Sequence, residues 1–148
     1  MKIAIFCYYD KKGEVSNNAQ LVLDELRTVS DYVITVVNGT IYDVNKLTEK
    51  SDYLFKRKNV GWDAGAYKDV LMNIGKDFFL ESDELILCNS SFFGPFIPLK
   101  QIFESMSSSK ADFWGISSSK YGWVKHIQSY FLVYRRRVLG SNIFWDYL

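Results

Sequence analysis

Short apolar runs alternate with segments of helical spacing along most of this chain, and that alternation limits its fold more than any other feature. Lys2 to Tyr8 is an apolar run ending in a polar loop, as in a strand buried on both faces. Asn18 to Val29 then places Leu21, Leu23, Leu26 and Val29 at approximately helical spacing, with Asn17 or Asn18 as the expected cap. Tyr32 to Val37 is a second β-rich run, stopped by Asn38-Gly39. A short helix around Val44 to Lys50 and a third strand, Tyr53 to Arg57, follow. Beyond a glycine-rich turn, a helix is expected from about Ala64 to Asn73 with Gly75 as its stop. Glu84 to Cys88 reads as a fourth strand, and Pro98 suits the start of a helix before Leu99-Lys-Gln-Ile102-Phe103. Asp112 to Ile116 is a fifth strand and Ile127 to Tyr134 a longer sixth, with a Ser/Gly loop between them. Val138 to Leu148 resembles the start of a last helix.

Parallel neighbours need long crossovers, so this pattern implies a three-layer α/β fold with a mostly parallel sheet and helices on both faces. At 148 residues the chain suits one α/β domain, 1–148, with a core of real size. Phe144-Trp-Asp-Tyr-Leu148 is an apolar pattern with no breaking residue after it, and the expectation is the front portion of a longer protein. Such sheets bind ligands beyond the carboxyl ends of their strands, where strand order reverses. The segments to inspect are therefore Tyr8 to Asp10, Asn38-Gly39, Arg57 to Asp63 and Asn89 to Ser91.

Eighteen Lys and Arg against seventeen Asp and Glu leave a formal charge of +1, which provides no global field for nucleic acid. No nucleic-acid partner is expected. No apolar run approaches the roughly 20 residues of a membrane helix, and Met1 to Phe6 is too quickly interrupted for a signal peptide. The expectation is a cytoplasmic protein, with peripheral association at the inner face of a membrane open to it. Arg135-Arg136-Arg137 is either a solvated strand end or a patch that faces acidic lipid heads. Cys7 and Cys88 each close a strand and read as small buried hydrophobes, with no basic partner to activate a thiol.

Three segments could carry chemistry. Arg57-Lys-Asn59-Val-Gly61-Trp-Asp63-Ala-Gly65-Ala66 runs from a strand into a helix, where glycines allow close approach and the helix start presents free N–H groups. Lys56, Arg57 and Lys58 add positive charge suited to a diphosphate, and Asp63 could accept hydrogen bonds from sugar hydroxyls. The alternative is a tight turn in which Asp63 caps the helix. The spacing is not G-x-G-x-x-G, which argues against a nicotinamide cofactor. Leu87-Cys-Asn89-Ser90-Ser91-Phe-Phe-Gly94-Pro95 offers weak Asn and Ser oxygens in place of metal-binding acids, or simply a self-bonded turn. His126, the sole histidine, opens the sixth strand and is the one candidate with a near-neutral pKa for acid–base work.

Taken together these segments resemble the rhamnan synthesis protein F family of bacterial cell-wall and O-antigen (lipopolysaccharide) polysaccharide assembly. The matching pieces are Arg57-x-Asn59-x-Gly61-x-Asp63-x-Gly65-Ala66-Tyr67, Leu87-Cys-Asn89-Ser-Ser91-x-x-Gly94-Pro95, Asp112-Phe-Trp-Gly115-Ile and His126-Ile-Gln128-Ser129-Tyr-Phe. They span most of the chain from Tyr53 onward, whereas Met1 to Asp52 fits only as a pattern. The resemblance implies a GT-A-type nucleotide-diphospho-sugar glycosyltransferase fold. It also implies transfer of a sugar such as rhamnose from dTDP-rhamnose to a glycan or lipid-linked acceptor.

Carried over residue by residue, Asn59, Gly61, Asp63 and Gly65 would lie against the donor and Asn89 and Ser91 would flank its diphosphate. Arg57 would sit with them, and His126, Gln128 and Ser129 toward the acceptor. The family usually has an acid where this chain has Ser90, so the residue that would hold a metal is absent and no protein metal site is expected. Either Mg²⁺ or Mn²⁺ comes with the donor, or Lys56, Arg57 or Lys58 neutralises the diphosphate instead. The residues also leave open a non-catalytic module of the same fold that binds a glycan or a partner. A nucleotide-binding regulator of flavodoxin-like topology is a further alternative, though Tyr9-Asp-Lys-Lys-Gly13 is a poor phosphate loop.

Overall fold

The structure, a computed structural model, describes residues 1–121 and 123–148. Among these, the elements in chain order are β1 (Lys2–Tyr8), α1 (Asn17–Val29), β2 (Tyr32–Asn38), α2 (Asn45–Thr48), β3 (Tyr53–Arg57) and α3 (Trp62–Ile74). Then come α4 (Lys76–Leu80), β4 (Glu84–Asn89), α5 (Leu99–Met106), β5 (Phe113–Gly115), β6 (Ser118–Tyr121), β7 (Val124–Ile127) and β8 (Phe131–Arg135). Two short helices, α6 (Arg136–Leu139) and α7 (Asn142–Asp146), end the chain.

Six strands form one sheet in the order β3-β2-β1-β4-β8-β5. β1, β2, β3 and β4 run parallel, while β8 is antiparallel to both β4 and β5. The sheet is thus mixed, with β8 alone reversed. Strand order turns back between β1 and β4: the chain first builds outward through β2 and β3, then returns to lay β4 on the other side of β1. That is the place where such sheets hold ligands.

Both faces are covered, as the apolar runs predict. One core gathers Phe6, Val22, Leu23, Leu26, Val33 and Ile86 beneath α1 and α5; the other gathers Ile5, Val36, Val70, Leu71, Phe79 and Leu85 beneath α3 and α4. Successive strand residues feed opposite cores, so β1 has almost no polar position (its Ile3 to Tyr8 are all buried). Cys7 and Cys88 are buried free thiols within this packing. Burial pushes Cys7 up to about 12, with the Asp63 charge adding to the rise and Arg57 opposing it. Burial likewise holds Cys88 well above its usual value.

Some local expectations change. The cap of α1 is Ser16, whose Oγ accepts from the Ala19 N–H at 3.1 Å; Asn17 begins the helix and Asn18 points elsewhere. The run expected as one long strand from Ile127 to Tyr134 is broken by a turn at 128–130: Ile127 ends β7 and Phe131 begins β8, and the two strands pair with different partners. The Ser/Gly loop before it contains β6, so β6 and β7 form a separate two-stranded antiparallel unit. Each arginine of the triad has an acidic partner, with Arg136 and Arg137 exposed. Arg135 pairs with Glu84 at 3.3 Å, Arg136 with Asp83 at 3.2 Å and Arg137 with Asp112 at 3.5 Å. No described helix is long and apolar enough to cross a membrane.

Candidate functional site

The carboxyl ends of β1, β2, β3 and β4 surround a cleft of about 330 Å³. β1 and its following loop contribute Cys7 and Tyr9, β2 contributes Asn38, the β3–α3 turn contributes Asn59, Trp62 and Asp63, and β4 contributes Asn89, Ser90 and Ser91. A larger groove of about 530 Å³ lies beneath α6 and α7, lined mainly by Tyr134, Val138, Ile143 and Phe144. Polar side chains from four strand ends converge only at the first, which is the chemically equipped one.

The β3–α3 turn owes its shape to glycine and to one arginine. Gly61 has φ +72° and Trp62 follows at φ +52°, a left-handed pair that swings the chain abruptly from strand into helix. A Cβ on Gly65 would stand 2.4 Å from the Val60 carbonyl oxygen, so the helix can approach the turn only because that atom is missing. Gly65 N–H donates to the Gly61 carbonyl at 2.8 Å, closing the first helical ring.

Arg57 spans the turn. Its Nε donates to Asp69 at 2.6 Å, one terminal nitrogen to Asn38 Oδ1 at 2.7 Å and the other to the Val60 carbonyl at 2.7 Å. The fork of a guanidinium suits three acceptors held in one plane. Asn38, fully buried, passes the connection on: its amide donates to the Trp62 carbonyl at 3.0 Å and toward Cys7 Sγ at 3.3 Å. Two strand ends and a helix start are thereby locked together.

Asp63 sits in the first turn of α3, where a carboxylate complements the positive end of the helix dipole. One of its oxygens accepts from Asn89 Nδ2 at 2.7 Å and the other from the Ala64 N–H at 2.9 Å. Asn89 Oδ1 in turn accepts from the Ser91 N–H at 2.9 Å, and the Asn89 N–H donates to the Tyr130 carbonyl at 3.1 Å. Ser90 fastens β4 to the loop after β1. Its N–H donates to the Cys7 carbonyl at 3.0 Å and its hydroxyl to the Tyr9 carbonyl at 3.2 Å.

The structure therefore brings Asn59, Asp63, Asn89 and Ser91 to one cleft, and places Arg57, Gly61 and Gly65 in the framework of its wall. Gln128 and Ser129 lie at the root of the β6–β7 unit, where the Gln128 N–H donates to the Ser117 carbonyl at 3.0 Å. His126 is exposed on β7, in register with Ser119, and is not among the residues lining the cleft. The sequence marked the segments holding Tyr9, Asn38, Trp62 and Ser90 for inspection as strand ends but gave these four residues no role of their own, and it read Cys7 only as a buried hydrophobe.

Among the described residues no three His, Cys, Asp or Glu side chains cluster to hold a metal. Asp63 is the one carboxylate on the cleft, and both its oxygens already have partners. Neutral amide and hydroxyl oxygens around a single acid do not fit a dedicated divalent-cation site.

In fold the chain is similar to 4-diphosphocytidyl-2C-methyl-D-erythritol synthase (TM-score 0.57, 13% identity, 95% of this chain and 79% of that one). It is similar also to HddC from Yersinia pseudotuberculosis (TM-score 0.53, 11% identity, 93% and 78%). At these identities the likeness concerns the fold alone, a mixed sheet flanked by helices of GT-A/Rossmann-like architecture.

In sequence it is similar to the protein y4gN of Sinorhizobium fredii, with 27% identity over 150 residues, 98% of this chain and 39% of the relative. The virulence protein VirA of Vibrio anguillarum is 33% identical over 148 residues, 96% of this chain and 45% of the relative. The chain thus spans less than half the length of these curated relatives. The family described as rhamnan synthesis protein F matches residues 33–148, which takes in β2 and every element after it. The turn, the β4 loop and the segment after His126 all fall inside that match, and this chain belongs to the rhamnan synthesis protein F family.

Proposed function

We propose that the cleft binds a nucleotide-diphospho-sugar such as dTDP-rhamnose, and that the chain serves sugar transfer to a glycan or lipid-linked acceptor in bacterial cell-surface polysaccharide assembly. The observation that carries this reading is the convergence of Asn59, Asp63, Asn89 and Ser91 at the strand-order reversal, beside the start of α3. Amide, hydroxyl and carboxylate groups fixed by strand ends suit a ligand rich in hydroxyls. The N-terminus of α3 favours negative charge, and Lys56 and Lys58, both exposed, stand on the same edge for a diphosphate. A Mg²⁺ or Mn²⁺ ion carried in by the diphosphate would find Asp63 as its one carboxylate here.

Calorimetric titration with dTDP-rhamnose and UDP-sugars, with and without Mn²⁺, tests the proposal. Saturable binding is expected, weakened by roughly tenfold or more in Asp63→Ala, the loss typical of a hydrogen bond to a charged group. A folded protein that binds no nucleotide-sugar overturns it.

A second reading is favoured by the commitment of both Asp63 oxygens and by the position of His126 away from the cleft. It makes the chain a non-catalytic module that binds a glycan or a partner enzyme. Retention of a co-purifying partner by Asp63→Ala, with no sugar transfer by the wild type, would select this reading over the first.

A further inference from the structure

From the β6–β7 unit we infer a second, separate function: it is a membrane-surface finger that docks on anionic lipid and holds the cleft beside the bilayer.

Three observations carry this. The first is charge. Lys120 and Lys125 are directly opposed across the β6–β7 pair, and cross-strand register places them on the same face. Like charges so placed repel, and this pair has no acid near it in sequence: no Asp or Glu occurs between Asp112 and Asp146. Both lysines are exposed, and neither forms an ion pair among the described residues. An external anion would turn the repulsion into a bridge. The second is apolar exposure at the same place. Trp123 is 98% exposed and Val124 66%, with the Lys120 ammonium 6.0 Å from the Trp123 ring centre. An unburied Trp flanked by lysines has the composition of side chains that settle at the headgroup level of a bilayer.

The third is position. β5 runs parallel to β4 and β8 runs against both, so the chain leaves β5 and enters β8 at the carboxyl edge of the sheet, the edge that carries the cleft. The loop after β4 projects from that same edge with Phe93 73% and Phe96 83% exposed. Phe92, at its start, stacks on Tyr130 at the root of the finger, 5.8 Å between ring centres. Two apolar projections and the paired cations therefore share one edge. A bound polar glycan would stack on Trp123 without needing the two cations. A phospholipid surface uses both features at once, and that is why the bilayer is the occupant assigned.

The test is sedimentation of the purified chain with vesicles of phosphatidylcholine alone or with about 30% phosphatidylglycerol, at low and at physiological salt. Partition onto the anionic vesicles is expected, weakening with salt, with Trp fluorescence quenched by brominated lipid in the wild type and less in Trp123→Phe. Lys120→Gln/Lys125→Gln should weaken partition roughly 30-fold, the product of two lysine contributions near such a surface. Trp123→Ala should weaken it several-fold, while Lys110→Gln, before β5 at the far edge of the sheet, should leave it unchanged. Circular dichroism and thermal melting of each variant confirm that the fold is kept. Equal partition onto neutral vesicles, indifference to the paired lysine substitutions, or capture of soluble inositol hexaphosphate without any vesicle binding would each overturn the inference. None of these readouts depends on whether the cleft binds a nucleotide-sugar.

Discussion

Gly65 and Cys7 show how single side chains set the limits of the cleft. At Gly65 any added Cβ collides with the Val60 carbonyl, a backbone atom that cannot swing aside. Gly65→Ala is therefore expected to destabilise the fold by about 1–3 kcal/mol, the usual range for forced overpacking, measurable by urea denaturation. Cys7 carries a thiol pushed up to about 12 by burial. Unfolding exposes it to ionise near its ordinary value of 9.0. The folded state then holds more protons than the unfolded state above that value, so stability present below it is lost as pH rises toward about 12. Urea midpoints should fall from about pH 8 to about pH 10.5, and the fall should be shallower in Cys7→Ala. Native Cys7 should also resist alkylation until the protein unfolds. Its burial was legible in the sequence, since a cysteine closing an apolar strand reads as a small hydrophobe. The reach of Arg57 was not: its positive charge suggested a ligand anion, whereas folding brings Asn38, Val60 and Asp69 within its own grasp.

At the scale of elements, the start of α1 does two separate things. Ser16 caps it, and Ser16→Ala should cost about 1 kcal/mol in a chemical melt. Asn18 reaches out of its first turn to the loop after β4, donating to the Phe92 carbonyl at 2.8 Å and accepting from the Gly94 N–H at 3.0 Å. Asn18→Ala should therefore loosen the loop around Phe93 and Phe96, read as faster amide exchange there, while α1 itself stays formed. The strands β1, β3 and β4 were readable almost to the residue, because hydrophobic runs bounded by turn residues mark buried strands well. The break between β7 and β8 was not readable. Ile127 and the run from Phe131 are both apolar, and hydrophobic periodicity cannot register that the chain turns at 128–130 and changes partners from β6 to β4 and β5. α4 escaped notice for a related reason: five residues after the stop at Gly75 are too few to display a helical period.

Over the whole molecule, protection should follow the sheet. β1, flanked by β2 and β4 and buried on both faces, should exchange its amide protons only through global unfolding, and β6 and β7 should exchange first. Hydrogen–deuterium exchange by mass spectrometry checks the ranking. The layer arrangement followed from strand–helix alternation alone, and so did the sheet edge at which the cleft opens. The insertion of an antiparallel β8 between β4 and β5 could not follow, because strand order is decided by which surfaces meet in three dimensions. One small contact then acquires a wider meaning. The Gln128 N–H bonded to the Ser117 carbonyl closes the base of the β6–β7 unit, so the ten residues between them begin and end at one point of the frame. A segment hinged this way is interchangeable. Its length or chemistry can change without disturbing the register of the six strands, because both its ends stay fixed at one point of the frame.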